Sequence, residues 1–238
     1  MTDRPRALVI INAKGSGPKR LATWLEEEDV EPVLVDGEDG LPQQLDGFDG
    51  LVMLGGGLMP DAYDAAPWLH AERALAQQAI DQDVPTLGIC LGGQLIADVA
   101  GGEVRENYGP PERGSVIITP TADGTTDPVL RHLGSKAPMI QHHRDMITRL
   151  PESATLLATS ELIENQAFRI GQHVRGLQFH PEASVENVRA WNAESLAELG
   201  VDHAALVAQA TINDEANTAA SRALVGAFAA EIRAVAQG

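Results

Sequence analysis

The sequence predicts an open, doubly wound α/β sheet, mostly parallel, with helices following its last strand. Three patterns predict that class: short continuous apolar runs, helix-like stretches alternating with them, and glycine-rich turns where two of the runs end. Residues 7–11, 32–35, 50–54 and 85–89 are the apolar runs, with the unbroken character of strands buried on both faces. Residues 18–28 and 67–82 carry apolar side chains at helical spacing, with a proline near the start, where its missing N–H would have had no partner. A third helix is expected over 94–100. The stretch 103–170 mixes strands such as 115–119 with proline-rich and glycine-rich turns. Residues 167–170 and 174–179 flank Gly171-Gln172-His173 and read as a hairpin whose second arm ends at His180. From about 185 to 238 the chain turns alanine-rich, with Val188, Trp191 and Leu196 and then Ala223, Leu224, Ala227, Phe228 and Ile232 at amphipathic spacing, enough for two or three helices.

At 238 residues the chain can bury a full core. No apolar run approaches the roughly 20 residues that span a bilayer, and the first six residues run into the first strand without a signal-peptide core. The 34 acidic residues outnumber the 17 basic ones, for a net charge of −17. Such a charge repels nucleic acid and anionic membranes, so neither is expected as a partner. The acidity is spread along the chain, as on solvated faces, rather than gathered into a cation site. One cysteine permits no internal disulfide, and a reducing, cytoplasmic setting keeps its thiol usable.

That cysteine, Cys90, lies in Gly88-Ile89-Cys90-Leu91-Gly92-Gly93-Gln94, where a strand runs into a turn and then a helix. The spacing is that of a nucleophile elbow, in which small neighbours permit a strained turn that lifts the reactive atom above the sheet. A small buried hydrophobe is the competing reading of a free cysteine. A thiol reacts as its thiolate, which a helix N-terminus and a nearby histidine both favour. Gly176-Leu177-Gln178-Phe179-His180-Pro181-Glu182 supplies such a histidine at a strand end, with a carboxylate two residues on that can orient the ring. The other reading of this segment is an exposed turn. Gly55-Gly56-Gly57 after the third apolar run would let backbone N–H groups approach a developing oxyanion. A phosphate loop is the alternative there, weakened because no lysine follows. His142 and His143 are adjacent on a strand and would point to opposite faces, so no metal site is expected.

Together the Cys90 and His180 segments resemble the class I, triad-type glutamine amidotransferases, over roughly residues 5–185. The resemblance implies a flavodoxin-like fold and a catalytic triad of Cys90, His180 and Glu182. It implies attack on the side-chain amide of glutamine to give a γ-glutamyl thioester and ammonia, with no cofactor. It makes the 54–58 loop an oxyanion strand with Gly57 and Leu91 N–H as donors, although Leu58 stands where many relatives have proline. By the same resemblance Gly56, Gln94, His143, Asp145 and Glu112 belong to the substrate pocket, Glu112 at its rim. The implied organisation is an amidotransferase domain over 1–185 and a helical extension over 186–238 packed on it.

No synthase signature follows Glu182, so the expectation is a stand-alone amidotransferase or glutaminase similar to the guanylate (GMP) synthase amidotransferase domain, working alone, as a homo-oligomer or with a separate synthase partner. A γ-glutamyl peptidase acting on glutathione-like compounds is the alternative within the same chemistry. A non-catalytic binding protein is the alternative outside it.

Overall fold

The computed structural model describes residues 4–237; residues 1–3, on which half of the expectation for the first six residues falls, and residue 238 lie outside it. Eleven strands and seven α-helices are described. In chain order they are β1 (Arg6–Ile11), α1 (Arg20–Glu27), β2 (Glu31–Asp36), β3 (Gly50–Met53), α2 (Leu69–Gln82), β4 (Thr86–Ile89), α3 (Leu91–Val99), β5 (Glu103–Arg105) and β6 (Glu112–Pro120). There follow α4 (Ala122–Thr126), β7 (Ala137–His143), β8 (Met146–Arg149), β9 (Ala154–Thr159), β10 (Ala167–Ile170), β11 (Val174–Leu177), α5 (Val185–Arg189), α6 (Ala193–Glu198) and α7 (His203–Val235).

Nine strands form one sheet in the order β2-β1-β3-β4-β11-β10-β9-β6-β7, and β5 pairs with β8 apart from it. The pairings from β2 to β11 are parallel. Those from β11 to β7 are antiparallel, starting with the expected hairpin of β10 and β11.

Side-chain alternation along the strands builds a core on each face. On β1, Ala7 and Val9 join Leu21, Trp24 and Leu25 of α1 and Leu224, Phe228 and Ile232 of α7 in one apolar cluster. Leu8 and Ile10 join Leu69, Leu75 and Ala76 of α2 and Leu95 and Ile96 of α3 in the other. The C-terminal helix thus completes the core on the α1 face. No helix among the described residues is long and apolar enough to cross a membrane.

One strand departs from expectation. β2, read from sequence as buried on both faces, is the edge of the sheet, paired only with β1, and its Leu34 is half exposed. Pro32 lies within it, and a proline that cannot donate to a ladder is tolerated at an edge.

β11 is tied to α7 by charge. Arg175 is fully buried and donates to Asp127 Oδ1 (3.0 Å) and to Glu231 Oε2 (2.6 Å). Burial pushes the Asp127 carboxyl upward, but Arg175, the Leu130 N–H and Arg169 outweigh it and hold the group below its ordinary value. Replacing Arg175 with Met takes the buried cation from between two acidic groups, leaving Asp127 with Arg169 and Glu231 with His173, and the variant is expected to lose about 3 kcal/mol in denaturant unfolding at neutral pH. A carboxyl depressed by folding contributes stability above its unfolded pKa and loses it as pH falls, so the deficit should shrink on acidification. A deficit independent of pH would show that the charges are not its source.

Candidate active site

Cys90 sits between β4 and α3 with φ 52° and ψ −107°, a backbone conformation that L side chains rarely adopt. Glycine makes the turn possible by letting backbones approach. A Cβ at Gly88 would lie 2.6 Å from the Gly92 carbonyl oxygen, one at Gly92 2.1 Å from Met53 O, and one at Gly93 2.6 Å from Leu177 O. The Cys90 N–H donates to Leu177 O (2.7 Å), and its own carbonyl accepts the first α3 bond from Gln94 N (2.9 Å). The sulfur is therefore held over the ends of β3, β4 and β11, at the N-terminus of α3, whose dipole favours an anion. Cys90 is only 7% exposed, yet it lines two cavities, of about 410 and 170 Å³.

His180 arrives on the loop after β11, its N–H donating to Ile140 O (2.9 Å) on β7. Its Nδ1 is 2.7 Å from Glu182 Oε1, and Lys19 Nζ donates to the same oxygen (3.2 Å). The other ring nitrogen, Nε2, is buried with no hydrogen-bond partner among the described residues. A Cβ built at Gly55 would touch both His180 Cε1 (3.1 Å) and Cys90 Cβ (3.4 Å), so only a glycine's width separates the imidazole from the cysteine. Burial opposes charge on the ring, but the Glu182 carboxylate and the neighbouring Cys90 sulfur more than reverse it, lifting His180 to about 10. Burial raises Glu182, and His180 and Lys19 overcome it, bringing the carboxyl to about 2. The pair is an imidazolium and a carboxylate across the neutral range.

Gly56 and Gly57 line both cavities beside Cys90, and a Cβ at Gly57 would meet nothing within 4 Å. Leu91 is the first residue of α3, where a helix leaves N–H groups without internal partners. The loop is braced from below. Asn12 donates from Nδ2 to Leu54 O (3.0 Å) and Glu72 Oε1 (2.9 Å), and accepts from Trp68 Nε1 (3.0 Å). Glu72 is wholly buried, and desolvation, opposed only by Asn12, lifts its carboxyl to about 8.

Of the residues assigned to a pocket by resemblance, Gly56, Gln94, His143 and Asp145 line the larger cavity. Glu112 does not. It is buried behind the wall, accepting from Ser160 Oγ (2.6 Å) and Gln166 Nε2 (2.5 Å) and lying 3.3 Å from His143 Nε2. The β6–β7 register sets Glu112 directly across from His143, so Glu112 lies sealed behind that ring rather than at the rim where the sequence reading put it. His142 faces the other way and packs against Trp191 (4.3 Å between rings). Sequence reasoning missed Lys19, Gln178, and the Trp191, Leu196 and Leu199 wall from the C-terminal helices. Gln178 alone had a local signal, standing two residues before His180 at strand spacing.

Residues 9–191 match the family model described as glutamine amidotransferase class-I. The chain belongs to the class I glutamine amidotransferase family. It is 36% identical over 166 residues, 68% of each chain, to a putative glutamine amidotransferase-like protein of Salmonella typhimurium. It is 34% identical over 157 residues to gamma-glutamyl peptidase 5 of Arabidopsis thaliana, covering 64% of this chain and 61% of that relative. It is 31% identical over 160 residues to one of the subunits of the glutamine-hydrolyzing GMP synthase of Halobacterium salinarum, covering 66% of this chain and 79% of that relative. The chain thus spans about three fifths of the plant peptidase it matches. A crystal structure of a glutamine amidotransferase from Thermotoga maritima superposes with a TM-score of 0.84 at 26% identity, over 95% of this chain and 98% of that one.

Removing the Glu182 charge leaves burial as the main influence on the ring. In Glu182→Gln the His180 titration is expected to move toward lower pH by roughly one to three units, read directly by NMR of the imidazole. A titration unmoved from that of the parent would show that Glu182 does not hold the charge.

Proposed function

We propose that this chain hydrolyses γ-glutamyl amides through a Cys90 thioester, with free glutamine as the smallest substrate. The observation that carries this reading is a thiol on a positive-φ turn facing a buried imidazole whose other nitrogen is bound by Glu182. The Cys90 sulfur, as thiolate, attacks the γ-carbonyl, and the oxyanion forms against the N–H groups of Gly57 and Leu91. His180 passes its Nε2 proton to the departing nitrogen as the C–N bond breaks, and Glu182 steadies the ring. Water, giving a proton back to His180, then opens the thioester and frees glutamate. Residues 1–185 make up this unit, and residues 186–238 are a helical extension packed on it, of which Trp191, Leu196 and Leu199 wall its larger cavity. The ammonia would pass to an acceptor held by a separate synthase partner, or be released.

One observation favours a second reading, a γ-glutamyl peptidase. The cavity of about 410 Å³ continues past Gln94 to Arg113, Arg144, Trp191 and Leu196, room for a leaving group far larger than ammonia. Arg113, on the wall of that cavity, would meet a leaving-group carboxylate.

Trapping followed by mass spectrometry tests both. Glutamine or a γ-glutamyl dipeptide is expected to leave a γ-glutamyl adduct on Cys90, and Cys90→Ala to lose turnover by roughly 10⁴-fold or more. Turnover that survives Cys90→Ala would overturn the thioester. A kcat/KM higher for dipeptides than for glutamine would select the peptidase reading.

A further inference from the structure

The His180 ring is not the only polar group at the sulfur. Gln178 is 1% exposed, and its Nε2 lies 3.6 Å from Cys90 Sγ. Its Oε1 accepts from Gln94 Nε2 (3.2 Å), which also donates to the backbone carbonyl of Asp145 (3.0 Å). The two ends of a glutamine amide look alike, so their assignment must come from partners of fixed polarity. Asp145 O is such a partner, because a backbone carbonyl only accepts. It obliges Gln94 to present its NH₂ group. That group obliges Gln178 to present its oxygen, and the NH₂ of Gln178 is then the end aimed at sulfur.

We propose that Gln178 is a further catalytic residue, whose amide N–H bonds to Cys90 Sγ and holds negative charge there. The assignment rests on the thioester chemistry proposed above. A thiolate accepts a hydrogen bond far better than a thioester sulfur does, so the contact is strongest when the sulfur is unbonded to substrate. During acylation the S–C bond forms, the C–N bond breaks, and the nitrogen takes its proton from His180. During deacylation His180 takes a proton from water, the S–C bond breaks, and the electron pair returns to a sulfur that the Gln178 N–H already faces. Gln178 therefore assists the step in which sulfur must leave.

The other titratable and charged groups around the sulfur are His180, backed by Glu182 and Lys19, His142 on the cavity wall, His143 with Glu112 beyond Gln94, and Arg113, Arg144 and Asp145 across the larger cavity. A change at Gln178 leaves all of them in place. Gln178→Met keeps length and removes the donor; Gln178→Glu keeps shape and substitutes an acceptor.

Alkylation of Cys90 by iodoacetamide, followed against pH on the full chain, needs no substrate. Its midpoint is expected to rise by about one pH unit or more in Gln178→Met and further in Gln178→Glu. Single-turnover thioester hydrolysis should slow by about tenfold or more in Gln178→Met, with cooperative thermal unfolding retained. An unshifted alkylation profile in folded Gln178→Met overturns the proposal. Should that variant not fold, the unsubstituted chain gives the answer by NMR: the Gln178 side-chain amide protons are expected to shift when iodoacetamide caps Cys90, and unchanged resonances overturn it. Turnover surviving Cys90→Ala would defeat the thioester itself, whereas a trapped thioester with an unmoved alkylation profile defeats only the role of Gln178.

Discussion

The positive-φ turn at Cys90 is the constraint around which the site is built. A non-glycine residue in that conformation costs about 1–3 kcal/mol and persists only where its surroundings over-determine it. They do so here through backbone contacts on two sides: Cys90 N–H on Leu177 O, and Gly92 and Gly93 pressed to the ends of β3 and β11. Because β3, β4 and β11 are adjacent and parallel, their C-terminal ends gather in one place. One neighbour delivers Gly55 to Gly57, the other delivers Gln178 to Glu182, and the strand between them carries the sulfur. Sheet order and elbow are thus two parts of one requirement.

Two glutamates show how environment divides a single residue type. Glu72 and Glu182 are both buried, but among the described residues Glu72 faces the Asn12 amide and no cation, so desolvation prevails and its carboxyl rises to about 8. Glu182 faces an imidazolium and Lys19, and falls to about 2. The first, neutral at pH 7, suits a brace under the Leu54–Gly57 loop. The second can stabilise charge on His180. Inverting these environments would place an unpaired charge beneath the glycine loop and leave the ring without its counterion, a double cost.

Much of this was legible in the sequence because it is local. Apolar runs fixed four parallel strands, the hairpin of β10 and β11 agrees with its predicted bounds to within two residues, and the glycine spacing around Cys90 marked the elbow. What escaped depends on distant partners. That residues 32–35 form an edge rather than a buried strand follows from sheet order, although Pro32 hinted at it. That Glu112 is sealed behind the pocket depends on its register with His143, thirty-one positions away. Lys19 finds Glu182 across most of the chain, and no pattern in either segment announces the pair.

The C-terminal helices carry the same logic from the core to the loop that bears His180. Arg20 on α1 donates to the carbonyl of Pro181, between His180 and Glu182, and to Asn217 and Thr218 on α7. Asn217, itself buried, reaches Pro138 O at the start of β7, the strand on which His180 rests. Asp214 accepts from Val185 N just beyond the loop, and Glu231 closes on Arg175 within β11. One helix therefore grips the histidine segment before, beside and after the ring. An imidazole held only by its own short loop would sample several rotamers and lose alignment with a fixed sulfur. Bound into a 33-residue helix whose apolar face is part of the core, the loop can move only if that core does.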